Sequence, residues 1–442
     1  MAIIKPFKGI LYNPEIIQDP ADVTTPPYDV ISNEAQEVFH KRHPNNVIRL
    51  ILGKTKESDT KINNAHTRAA TSFNNWLSDN ILIKDDNERF YLKSIQYEFG
   101  GETLTRYGLI TLVGLEPFEK GIIMPHEKTF SKVKSERLRL MKASHCNFCP
   151  IFALYPDNGD VFNALKSQAL QKVPDMAFTD DQGHLHKLWK ISDPVTIKTV
   201  SEAMKEKHLF IADGHHRYET ALNYRDHIAE NTPDFDENHP SNFVLMYLCS
   251  MQDPGLIILP AHRLLKGISN QVMASALKNS SEYFHIESFE FTNGNLEQAK
   301  SSFTQSLEKN ADKNAIGVFI KNSSEFHLMV LKSGVMEAIF NGRLDKALYD
   351  LDVSVLTRLV FMKILGFDQS RLDDATRIGY ASTYDKAVAH ITDKDYDVAF
   401  ILNPTRIEQV QRIAEKGLIM PRKSTYFYPK VKSGIVMHSL VS

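Results

Sequence analysis

The chain has 442 residues, 42% hydrophobic and 24% charged, with a formal net charge of −2. That length exceeds one ordinary core, so two or three subdomains are expected, and the composition is that of a globular protein rather than a disordered one. The near-neutral balance argues against a general nucleic-acid binder, which needs Lys or Arg for each phosphate it neutralises, yet it leaves room for a local basic pocket.

Three cysteines are too few and too uneven for a disulfide framework. Cys146-Asn147-Phe148-Cys149 has no second pair to complete a zinc site, so two partly buried thiols are expected. The opening Met1-Ala2-Ile3-Ile4-Lys5-Pro6-Phe7 lacks the pattern of a signal peptide, and no run of about 18 apolar residues occurs. A cytoplasmic chain with no membrane span is the expectation.

Residues 1–120 read as an N-terminal α+β region. Thr24-Thr25-Pro26-Pro27-Tyr28-Asp29 is turn-rich, since paired prolines forbid helix. Asn46 to Leu52 is a short apolar strand candidate carrying Arg49. Ala65–Leu77 has helical spacing, with Ala69, Phe73, Trp76 and Leu77 on one face. Arg89–Glu98 and Leu104–Leu115 form a hairpin about Gly100-Gly101.

Residues 121–250 hold the least ordinary chemistry. Met124-Pro125-His126-Glu127-Lys128-Thr129 precedes a charged helix over Lys134–Ala143. Asn147–Tyr155 reads as a strand, Val195–Lys205 as a helix and Leu209–Ala212 as a buried strand. Asp213–Arg217 then turns the chain into a helix running to about Ile228. Residues 255–442 read as a C-terminal α+β region. Its helices are Gln271–Tyr283, Leu296–Glu308, Val353–Leu365 and Ile407–Lys416. Its strands are His285–Phe291, Ala315–Ile320, Glu325–Lys332 and Asp397–Leu402, and a loop-rich basic tail follows.

Asp213-Gly214-His215-His216-Arg217 carries the functional argument. An apolar strand ends at Ala212, and Asp213 is suited to cap the next helix through its carboxylate. Gly214 lets a ligand approach the backbone. The helix N-terminus offers free N–H groups and partial positive charge, which suits an anion. His215, His216 and Arg217 add donors there, and the Arg217 guanidinium matches a phosphate with its planar fork. This is a phosphate-site design, distinct from a Walker A loop. Two plainer readings stand beside it: a structural turn whose histidines pack internally, and a metal site using His216 and Glu219, for which no third ligand is visible.

The Asp213–Arg217 turn resembles the signature of the ParB/sulfiredoxin superfamily, and its two histidines resemble the free-serine kinases within it. The whole chain is similar to the family catalogued as domain of unknown function 1015. The phrases that carry this are Ile4-Lys5-Pro6-Phe7-Lys8-Gly9, Pro26-Pro27-Tyr28-Asp29-Val30-Ile31, Asn46-Val47-Ile48-Arg49-Leu50, Pro125-His126-Glu127-Lys128-Thr129, the turn itself, and Met420-Pro421-Arg422-Lys423-Ser424-Thr425-Tyr426-Phe427-Tyr428-Pro429-Lys430. The resemblance implies an α/β (α+β mixed) fold: a ParB/sulfiredoxin-like nucleotide- or phosphate-binding core over 121–250, with additional α+β subdomains. It also implies a kinase that phosphorylates free L-serine or a related hydroxyl compound. The donor would be pyrophosphate or ATP/ADP, and Mg²⁺ is expected as counter-ion to its phosphates.

In that picture Glu127 matches the carboxylate that accepts the hydroxyl proton, with His126 orienting it or touching phosphate. Asp213, Gly214, His215 and Arg217 cradle the donor together with His216, which is also a catalytic candidate beside Glu127 and His126. Lys423, Ser424, Thr425 and Lys430 are the right types to hold phosphate oxygens. Asp29 and Arg49 are candidates for the amino and carboxylate groups of an amino-acid substrate, or for an internal ion pair. Lys128, Lys132, Lys134, Arg137 and Arg139 form a basic run whose inward members spacing does not choose. A ParB-like nucleotide-binding regulator is the alternative, although no helix-turn-helix is seen. A sulfiredoxin-like redox role needs a reactive Cys where His215 stands. Oligomeric state is not legible.

Overall fold

The hairpin expected about Gly100-Gly101 forms from strands Phe90–Phe99 and Glu102–Gly114, with the two glycines at φ +61° and +83°. Such positive φ values cost a residue with a Cβ and cost glycine little. The computed structural model of the chain describes residues 1–292, 294–374, 376–393 and 395–441. They divide into two compact units, one within residues 1–125, 129–257 and 429–441 and the other within residues 126–128 and 258–428. No helix among the described residues is long and apolar enough to cross a membrane.

The first unit is built on a nine-stranded mixed sheet, so the α/β class is as expected. From one edge its strands run Ile123–Met124, Leu209–Asp213, Ile151–Tyr155, Phe243–Ser250, Glu102–Gly114, Phe90–Phe99, Leu185–Ile191 and Met176–Thr179. Ile4–Lys5 adds to Glu102–Gly114. Side chains alternate between faces along each strand. One face, with Leu92, Leu109, Ile151, Ile211, Val244 and Met246, packs under helices Pro194–Lys205 and His215–Asn231. A second apolar cluster gathers Val47, Leu50, Phe73, Trp76 and Phe148, including the expected inner face of helix Ala65–Ser78.

Asn46–Leu52 is not a strand. Ile48–Ile51 is a helical turn, and the Asn46 side chain accepts the Ile48 N–H at its start. A short apolar run buried all round has no periodicity to separate strand from helix. In the second unit, Leu356–Ile364 is wound as a π-helix where an ordinary helix was expected. That unit is a six-stranded antiparallel sheet with Phe303, Phe319, Phe326 and Ile401 at its core.

The last segment of the chain completes the first unit. Arg106 donates to the Pro429 carbonyl (2.7 Å), Lys430 reaches Asp213 and Lys432 reaches Asp180. Backbone pairs Thr25–Ser433, Ile10–Met437 and Asn147–His438 pin the rest. Val431, Ile435, Val436, Met437 and Leu440 are buried. At about 1.5–3 kcal/mol for each such side chain, their removal costs as much as a whole domain's stability. Deleting residues 429–442 is therefore expected to abolish cooperative unfolding of the first unit, read by calorimetry against the full chain.

The other face of that sheet carries buried cations. Arg106 lies over the rings of Phe152 (4.8 Å) and Tyr247 (5.5 Å). Lys93 meets His186 Nδ1 at 3.2 Å, and His186 Nε2 meets Asp180 at 3.0 Å. Burial, then the charges of Arg106 and Lys432, push the Lys93 amine down to about 7. Its ordinary value is 10.5, so the unfolded chain binds the extra proton between those limits. Stability therefore rises with pH across that window, and the penalty is complete below pH about 7. Lys93→Met is expected to raise the melting temperature at pH 6 and to remove this lysine's share of the wild-type gain towards pH 10.

Candidate phosphate site

The buried strand Leu209–Asp213 ends at the edge of the first unit's core, and its last residue pairs with Phe152. Gly214 follows at φ +99° and is the N-cap of helix His215–Asn231. Asp213 is thus not the cap that the sequence suggested. Its carboxylate is drawn to two cations instead: Oδ1 accepts from Lys430 Nζ at 2.6 Å and Oδ2 from Arg217 Nη2 at 2.5 Å. No side chain among the described residues caps this helix, and no acidic residue sits in its first turn. A helix N-terminus carries partial positive charge, which favours an anion.

Arg217 also donates to the Pro150 carbonyl. Burial alone would lower the pKa of its guanidinium; Asp213, Cys149, Asp29 and Tyr28 around it outweigh that and raise it. Tyr28 and the exposed Asp29 are therefore within electrostatic reach of Arg217. The Tyr28 phenol is pushed up to about 12 by burial and then by Asp29, so it keeps its proton. Arg49 is used elsewhere: its guanidinium donates to the carbonyls of His40 (2.8 Å) and His43 (3.0 Å).

His215 is buried. His216 Nε2 accepts the N–H of Phe130 at 3.0 Å, and the two rings stack at 6.0 Å. A backbone amide only donates, so the neutral His216 ring carries its proton on Nδ1. One turn on, Glu219 accepts from Thr129 Oγ1 at 2.7 Å and from Lys134. Glu219 was legible only as a helical neighbour of His216; its work is to clamp the 129–134 segment to the turn helix. In the basic run, Lys132 and Arg139 are exposed, Lys134 joins Glu219 and Arg137 turns inward.

A small cavity of about 50 Å³ adjoins the turn. Tyr28, Arg137, Asn147, Cys149, Arg217 and Thr220 supply its polar lining, and the remainder is mostly apolar. Burial pushes both Cys146 and Cys149 thiols up. Cys149 Sγ meets Ser433 Oγ at 2.7 Å. Among the described residues, one group of three could converge on a metal: Asp180, His184 and His186. The Lys432 ammonium stands 3.1 Å from the same Asp180 oxygen that faces His186, and Lys93 stands on the far side of His186. Two buried lysines there make it an internal ion network.

The remaining sequence candidates lie in the second unit. His126 Nε2 meets Thr425 Oγ1 at 3.1 Å, and the His126 carbonyl accepts the Met420 N–H. Glu127 bridges to Met420 and lies within electrostatic reach of the buried Arg263. Arg263 donates to the carbonyls of Arg422 (2.8 Å) and Lys423 (2.9 Å). Ser424 donates to the Pro421 carbonyl, and Lys423 adopts φ +55°. Lys430 is the member of the tail motif that the fold brings to Asp213.

Residues 4–354 match the family described as protein of unknown function (DUF1015). The chain belongs to the DUF1015 family. The match ends before the 429–441 segment that completes the first unit of this DUF1015 chain. No curated protein matches it. Solved structures with a detectable likeness include free serine kinase in complex with AMP, at 12% identity and TM-score 0.35, over 72% of this chain and 86% of that one. A conserved hypothetical protein from Pyrococcus furiosus aligns at 13% and 0.35, over 75% of this chain and 95% of its own. SbnI with a C-terminal truncation, from Staphylococcus aureus, aligns at 8% and 0.35, over 73% and 84%. Likenesses of this size carry no argument about the site, which rests on the chain's own geometry.

Gly214 offers the sharpest structural test. A Cβ there would lie 2.9 Å from the Arg217 guanidinium, on a backbone already at φ +99°. Gly214→Ala is expected to cost about 1–3 kcal/mol of stability and to weaken inorganic phosphate binding, read by thermal melts and calorimetric titration.

Proposed function

We propose that this chain is a small-molecule kinase that moves a phosphoryl group from pyrophosphate or a nucleotide to the hydroxyl of free L-serine or a related compound. The observation that carries the reading is the turn itself: a buried strand, a left-handed glycine and an uncapped helix N-terminus, with Lys430 and Arg217 held beside it by one carboxylate. Phosphate oxygens accept N–H groups at such a helix end, and a neighbouring ammonium and guanidinium offset their charge. The resemblance of the turn to free-serine kinases supports L-serine as the acceptor.

In the reaction the acceptor oxygen bonds to the terminal phosphorus and the bond from that phosphorus to its bridging oxygen breaks. Phosphate or the shortened nucleotide leaves, and the hydroxyl proton goes to a carboxylate. Glu127 is proposed for that proton from the sequence motif. Positioning and charge stabilisation supply most of the rate in phosphoryl transfer. Mg²⁺ would offset charge on the donor's own phosphates. Asp213 does not fit a ligand for that ion, because both its oxygens face cations, and no step is assigned to the metal. Lys430 and Arg217 instead reach the turn with their charge already placed by Asp213.

Full-length protein with Mg²⁺ and L-serine, given pyrophosphate, ADP or ATP in turn, is expected to form O-phosphoserine with one of them. Glu127→Gln should lower kcat by about 10²–10⁴. Lys430→Gln should lower kcat/KM for the donor by about ten- to a hundredfold, as expected for one charged hydrogen bond. Failure to form product with any of the three donors, in protein that still binds phosphate, would sink the kinase reading; nucleotide binding without transfer would favour a ParB-like regulator.

A further inference from the structure

Arg137 and Glu136 are successive residues of helix Ser131–Ser144. Neighbours on a helix point about 100° apart and do not ordinarily face each other. Here the Glu136 carboxylate bends back to fill the Arg137 fork, Oε1 taking Nη2 at 2.5 Å and Oε2 taking Nε. The guanidinium is otherwise fixed. Nη1 donates to the Ile51 carbonyl at 2.7 Å, and the Tyr28 ring lies 4.2 Å beneath it. Arg137 is buried while Glu136 is partly exposed, so the mobile member of the pair is the carboxylate.

The surroundings call for an anion. The cavity beside the phosphate turn has two arginines in its lining, Arg137 and Arg217, and no Asp or Glu among its lining residues. Tyr28 belongs to the same wall and keeps its phenolic proton as a third donor. Arg137 also lines a wider groove with His66, Glu136 and Arg139, so its guanidinium stands where groove meets cavity. A ligand entering by that route meets the fork that Glu136 occupies.

We propose that Arg137 recognises the carboxylate of a small hydroxy or amino acid, and that Glu136 holds its place until that acid binds. The proposal rests on the kinase reading for the direction of the ligand: the acid's carboxylate lies at Arg137 and its hydroxyl points towards the turn that carries Arg217. Acceptors are then restricted to hydroxyl compounds bearing a carboxylate. Arg137 is a specificity residue and takes no part in bond making.

The test is calorimetric titration of the full-length protein with L-serine and D-glycerate, against serinol and glycerol, which lack the carboxylate. Wild type is expected to bind the two acids and not their carboxylate-free counterparts. Arg137→Gln should weaken acid binding about a hundredfold. Glu136→Gln, which leaves Arg137 in place, should tighten it about tenfold by removing the internal competitor. Equal binding of acids and alcohols, or unchanged acid affinity in Glu136→Gln, overturns the proposal even if Arg137→Gln does not fold. Calorimetry reads binding without transfer, so acid-selective binding in a chain that phosphorylates nothing would keep this site and sink the kinase. Transfer to L-serine with no carboxylate preference would keep the kinase and sink this site.

Discussion

The carboxylate of Asp213, held between Arg217 and Lys430, is the interaction on which the candidate site depends. Arg217 and Lys430 are separated by more than two hundred residues of chain, and neither is well solvated. A buried charge without a partner costs several kcal/mol, so each of the three side chains is placed by the other two. Their common position is the start of a helix that no side chain caps among the described residues. Charge assembled in advance at that end is what a phosphate needs, because the cost of orienting the donors has been met in folding.

Lys430 arrives there because the 429–441 segment is interior structure. It crosses the buried polar face of the sheet, meeting Arg106, Asp213 and Asp180 in turn, and then pairs with the N-terminal strands. The same face explains how a chain of net charge −2 builds a basic region. Arg106, Lys93 and Lys432 are buried there, Arg106 over two aromatic rings, Lys93 against His186 and Lys432 against Asp180. Bulk charge sums over the whole chain, so it does not report where these cations gather.

Much of the local structure was readable because its causes are local. The hairpin at Gly100-Gly101 follows from two glycines between alternating strands, and helix Ala65–Ser78 from four apolar residues at helical spacing. The Asp213–Arg217 turn stood out because a strand, a glycine and three basic residues met within a few positions. Where local signals conflict, tertiary burial won: Ile48–Ile51 is helical although its composition suits a strand. Asp213 had the right type for a cap, but two cations out of sequence reach took its carboxylate.

The sequence by itself determined the α/β class, the turn and the residue types that phosphate chemistry requires, since propensity, periodicity and the glycine signal act over a few residues. Tertiary structure decided which charges face one another. It chose Arg137 from five basic residues on one segment, set Glu219 against Thr129 and Lys134, and kept Arg49 on the carbonyls of His40 and His43. Ion pairs and hydrogen bonds act over a few ångströms in space with no fixed separation along the chain, so no spacing rule could have named them.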